Sequence, residues 1–139
     1  MTLGNKSQGE IELNTPHFSK EKFLLIQAET NSLVQKVFKK VAIGMNALDI
    51  ESLILKEYHS FGFDRSWHPI KVRIDSDTLL SFSKKSDPKI RLQKNSVFFI
   101  DIGTVKGGIE GDVGRTFALG GNKEHDQLIK KCENIFFKT

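Results

Sequence analysis

One stretch limits what this chain can fold into: FFIDIGTVKGGIEGDVGRTFALG, residues 98–120. Two aspartates, Asp101 and Asp112, interrupt apolar runs that otherwise read as sheet core. Lys106-Gly107-Gly108 is a turn signal, so residues 97–105 and 109–119 are expected to form a hairpin. With Lys106 and Gly107 as the central turn residues, Asp101 falls directly opposite Asp112. Opposed side chains share a face, with Cβ atoms about 5 Å apart. Carboxylates that close repel, so one takes up a proton or both bind a cation. Hard divalent ions want oxygen ligands, and paired ions sit about 3.5–4 Å apart. The residues alone leave a second reading open, in which the carboxylates lie on the solvent face of a half-buried hairpin. Val97, Phe99 and Gly103 on the Asp101 face speak for the first, and a one-residue slip would separate the pair.

Ahead of the hairpin lie two helical patterns. Ser19 is the expected N-cap of the first, with Phe23, Ile26, Thr30, Leu33, Val34, Val37 and Val41 at helical spacing and Gly44 as its stop. Asn46 caps the second, Asp49 sits in its first turn, and Ile50, Leu53, Ile54, Tyr58 and Phe61 form its stripe up to Gly62. A strand is expected around Ile70–Ile74, then a polar loop and a charged, turn-rich link over 83–95. From Asn122, Leu128, Ile129, Cys132, Ile135 and Phe136 share one helical face, which continues to the last residues. Residues 1–18 read as a flexible arm, with IEL at 11–13 a short strand at most; residues 19–139 read as one partial domain.

The 139 residues are one domain's worth of chain. A net charge of +4 comes from scattered Lys and Arg rather than a basic face, which argues against a nucleic-acid partner. The single cysteine, Cys132, allows no internal disulfide and is expected as a small buried hydrophobe. No apolar run reaches the ~20 residues of a membrane span and no signal pattern opens the chain, so a cytoplasmic protein is expected.

The hairpin resembles the metal-binding hairpin of the methionine aminopeptidase, aminopeptidase P, proline dipeptidase and creatinase superfamily, the pita-bread fold. Asp101-Ile102-Gly103, Gly111-Asp112, Arg115-Thr116-Phe117 and Gly120 match that pattern in spacing and in flanking glycines. The order of helices, with Gly44-Met45 and Gly62-Phe63, extends the resemblance from about residue 19 onward. Trp67-His68-Pro69 looks most like Xaa-Pro peptidase-like members, and Asp75-Ser76-Asp77-Thr78 takes the place of a Gly-x-Asn-like loop. The resemblance implies an α+β fold: two helices, antiparallel strands with a metal-binding hairpin, then a helix, together the N-terminal half of the pita-bread domain. It implies hydrolysis of N-terminal peptide bonds at two divalent ions (manganese, cobalt, iron or zinc), with Asp101 and Asp112 as metal ligands.

Some features depart from the family's pattern. The resemblance calls for two aspartates, one histidine and two glutamates as ligands, and only the aspartates have counterparts here. His125 follows Asp112 too closely and is read as a helix-terminal surface residue, while His17 and His59 carry no motif. The substrate-binding histidine of many relatives is missing from Leu80-Ser81-Phe82-Ser83, so His68 and Trp67 become the candidate substrate-binding residues. Gly114 stands where a hydroxyl residue is common. No catalytic residue is assigned, and the chain alone is expected to be inactive. The competing readings are a non-catalytic binding module and a half-domain that pairs with a second copy through its exposed face.

Overall fold

The structure is a computed structural model and describes residues 19–138; the expected N-terminal arm and its short strand lie outside these. The order is α1 (Lys20–Phe38), α2 (Ala47–Phe61), β1 (Lys71–Ile74), a 3-10 turn (Asp75–Leu79), β2 (Val97–Lys106), β3 (Ile109–Ala118) and α3 (Lys123–Lys138). The strands form an antiparallel sheet in the order β1-β2-β3, giving the expected α+β architecture.

The helices begin where their caps dictate. The Ser19 hydroxyl accepts the Lys22 N–H, and Asn46 and Asp49 close a reciprocal capping box at the start of α2. Gly62, at φ +69°, ends α2 in the left-handed conformation that glycine adopts without strain. The first helix stops at Phe38 rather than continuing to Gly44. Lys40 and Val41 turn to tighter bonds, donating to the carbonyls of Val37 and Phe38, and the Gly44 N–H goes instead to Leu92 in the link.

Period-two alternation divides the sheet. Phe98, Ile100 and Ile102 of β2, with Val72 and Ile74 of β1, lie under α1 and α2. They pack with Leu33, Val34, Val37, Ile50 and Ile54, and Phe38 stacks on Phe117 with ring centroids 4.3 Å apart. Inside this core the Thr30 and Thr104 hydroxyls meet at 2.6 Å. The odd-numbered face of β2 is less covered at its start: Val97, Phe99 and Asp101 are half-buried, while Gly103 and Val105 are buried. In part, then, the carboxylates stand on the more open face.

The hairpin register differs from the expected one. Lys106 pairs with Ile109, so Gly107 and Gly108 are the central turn residues, at φ +58° and +78°. A turn matching the twist of two paired strands needs positive φ at both positions, which Gly-Gly satisfies and Lys-Gly does not without strain. Asp112 therefore faces Gly103, and Asp101 faces Gly114. The aspartates are diagonal neighbours on one face, not directly opposed.

The last helix carries its apolar residues outward. Leu128 and Phe137 are 61% and 70% exposed, and Cys132, expected to be buried, is exposed. The stripe on α3 is real, but among the described residues it borders an open groove of about 800 Å³ against α1 and β3 rather than a packed core. His125 has the expected helix-terminal place, yet its side chain is half-buried on that groove.

Candidate metal centre

Three elements converge on the open face of the hairpin. The two strands supply Asp101 and Asp112. The loop between α2 and β1 supplies Trp67 and His68, and it is pinned along its length. Asp64 N–H donates to the Val105 carbonyl and Val105 N–H to that of Arg65. The Tyr58 hydroxyl donates to the Gly103 carbonyl at 2.7 Å, and the Ser66 hydroxyl lies 2.8 Å from the same oxygen and 2.6 Å from that of His68. The Trp67 indole N–H donates to the Gly111 carbonyl at 3.1 Å.

This crossing is possible because residue 103 is glycine. A Cβ there would overlap the Trp67 indole and stand 2.6 Å from His68 Cδ2. Trp67 and His68 pack edge to face with centroids 4.4 Å apart, and Phe82 closes the far side of the imidazole at 6.1 Å.

The convergence brings His68 Nε2 within 3.8 Å of one oxygen of Asp101 and 3.8 Å of one oxygen of Asp112. One ligand atom from each of the three residues falls within 4.8 Å of the others. Burial pushes the Asp101 carboxyl above its usual range; the charge of Asp112 adds to this, while His68 and Lys71 pull the other way. A cation among these oxygens would remove the repulsion and replace the lost solvation, so the donor set fits a divalent ion.

Asp112 is 63% exposed at its side chain, yet its backbone is fixed. Gln27 of α1 donates to the Asp112 carbonyl at 2.6 Å and accepts its N–H at 3.0 Å. Sequence reasoning missed Gln27, which carries no motif, and it placed His68 no nearer than a pocket wall. The available signal was Gly103, since a strand glycine beside an expected site marks a close approach by another segment. His59 lies exposed on α2 and His125 half-buried on α3; neither joins the cluster, and His17 lies outside the described residues.

Two carboxylates of one hairpin and the imidazole of the loop beside it thus share one face. The chain belongs to metallopeptidase family M24, whose family model matches residues 25–138. No curated protein matches the sequence. Solved structures with this fold include an X-Pro aminopeptidase from Thermotoga maritima, at TM-score 0.62 and 18% identity over 81% of this chain and 29% of that one. Proline aminopeptidase P II from Yersinia pestis gives TM-score 0.62 and 20% identity over 84% of this chain and 24% of that one. Aminopeptidase P from E. coli, with the inhibitor Pro-Leu, gives TM-score 0.60 and 19% identity over 81% and 23%. At these identities the likeness is one of fold, the pita-bread fold of the aminopeptidase P proteins. The chain spans about a quarter of the length of these structures. No helix among the described residues is long and apolar enough to cross a membrane.

Proposed function

We propose that this chain is the metal-holding half of an aminopeptidase of the Xaa-Pro type, with Asp101 and Asp112 as ligands to a dinuclear divalent centre. The observation that carries the reading is the shared face: in an M24 chain, both carboxylates meet the same imidazole at 3.8 Å. When bound, such ions polarise a scissile carbonyl and lower the pKa of a water molecule. The chain's own contribution is positional. The hairpin fixes the spacing of the two carboxylates, Gln27 holds the Asp112 backbone, and Lys71 sets a positive charge beside Asp101. Trp67 and His68 wall the space above the carboxylates, where the residues flanking a scissile bond would lie.

Two carboxylates are a minority of the ligands that the resemblance calls for, and ligand number sets affinity and geometry. The chain by itself therefore binds divalent metal and turns over little peptide. Calorimetric titration of the purified chain with Mn²⁺ or Co²⁺, beside an assay on Xaa-Pro peptides, tests both statements. Metal uptake lost in Asp112→Asn, without robust hydrolysis, is the expected result. Robust hydrolysis would overturn the proposed incompleteness, and no metal uptake would overturn the metal centre.

A further inference from the structure

His68 stands near two carboxylates but makes a hydrogen bond to neither. Its Nε2 is 3.8 Å from each, whereas a charged imidazolium donating to a carboxylate would close to about 2.8 Å. The other ring nitrogen has a partner of its own. Nδ1 lies 2.9 Å from the Pro69 carbonyl oxygen, and a carbonyl only accepts, so Nδ1 carries the proton. With Nδ1 turned to that carbonyl, Nε2 is the ring atom aimed at the two carboxylates.

Three ligand-type atoms thus converge on one point, the arrangement a cation would satisfy. The ring is not free to turn away. Its side chain is only 12% exposed, Trp67 and Phe82 flank it, and the bare Gly103 backbone lets it lie against the strand. A histidine whose second nitrogen donates to a backbone carbonyl is the usual form of a metal-ligating histidine, because that bond fixes both tautomer and ring orientation. The two 3.8 Å separations from Nε2 also suit one ion. With ligand bonds of about 2.0–2.2 Å, two donors on the same metal are at most roughly 4.2 Å apart.

We infer that His68 is itself a metal ligand, its Nε2 completing with Asp101 and Asp112 a three-donor set contained within this chain. The inference rests on the proposed metal centre and extends it: the site does not depend on carboxylates alone, and its third donor comes from the loop after α2. An imidazole among the donors shifts preference from oxygen-seeking ions such as Mg²⁺ and Ca²⁺ toward Mn²⁺, Co²⁺, Fe²⁺ and Zn²⁺.

The test is direct. Mn²⁺ affinity is measured by titration for the full chain and for His68→Ala, His68→Gln, Asp101→Asn and His59→Ala. Pulsed EPR of the Mn²⁺-loaded chain is recorded with and without ¹⁵N-labelled histidine. The expected result is histidine nitrogen coupling in the native chain and at least about a tenfold loss of affinity in both His68 variants. His59→Ala should be unchanged, since His59 is exposed on α2. Loss of binding in Asp101→Asn, with His68 variants within twofold of native and no nitrogen coupling, would overturn the ligand assignment and leave the carboxylate centre standing. Failure of the native chain to bind Mn²⁺ would overturn both. The EPR measurement needs no variant, so a substitution that disturbs folding does not blunt the test.

Discussion

Gln27 treats the backbone of Asp112 as a neighbouring strand would. Its side-chain amide donates to the Asp112 carbonyl and accepts the Asp112 N–H, at 2.6 and 3.0 Å, from a helix 85 residues away in sequence. β3 is an edge strand at that point, and Gln27 supplies the partner the sheet lacks. Gln27→Ala removes both bonds at a cost of about 1–2 kcal/mol, reduced by exposure. Urea denaturation should show that loss, and metal titration should show weaker uptake than in the native chain, because the Asp112 carboxylate is no longer held in place.

Gly103→Ala would put a methyl group where the Trp67 indole and the His68 ring now lie. The loop must lift, with an overpacking cost of about 1–3 kcal/mol. Trp67 is the sole tryptophan, so its emission reports the displacement directly and should shift to the red. Gly114→Ala on the same face is the control: a Cβ there meets nothing within 4 Å, and its melting temperature should barely change.

The buried hydroxyl pair under the sheet is directional. Thr30 spends its proton on the Ile26 carbonyl at 2.7 Å, so Thr104 is the donor between them. Thr104→Val leaves the Thr30 oxygen without that donor and should cost about 1–3 kcal/mol. The double variant with Thr30→Val removes both groups and should recover part of the loss, giving a coupling that a double-mutant cycle in urea can measure.

Acid should weaken the helix pair through Glu57. Its carboxylate is buried on α2, with Lys36 Nζ at 2.7 Å and Lys40 Nζ at 2.5 Å. Hydrogen bonds from those lysines hold its pKa below the usual carboxylate range. The folded pKa is thus lower than the unfolded value of about 4.3. The stabilisation is present in full above about pH 4.3 and fades as pH falls through the folded pKa. Glu57→Gln should lose about 1–2 kcal/mol at pH 7, the half-exposed lysines limiting the loss, and show a flatter acid limb. Equal acid limbs in thermal melts from pH 2 to 7 would count against the pairing.

Much of this architecture could be read before any coordinates. Both N-caps, the apolar stripe of α2, the strand after the Trp-His-Pro motif and the hairpin lie where residue chemistry places them. What escaped were relations between distant segments. The register was displaced because Lys106-Gly107 and Gly107-Gly108 are both turn-like dipeptides, and only the need for two positive φ angles separates them. The Asp75 carboxylate accepts from the Ser96 hydroxyl and the Val97 N–H, at 2.7 and 2.9 Å, a bond across the link that no local pattern announces. Cys132 was misplaced for a related reason. A stripe on a helix says which face is apolar, not whether anything covers it.

The alternation along β2 has one more consequence. Residues 98, 100 and 102 answer to the core, while 99, 101 and 103 answer to the open face. Neighbouring positions are thereby subject to separate demands. Substitutions at Asp101 or Asp112 can therefore remove a proposed ligand and leave the packing beneath it in place, so the same scaffold can keep or lose its donors in single steps without disturbing its core.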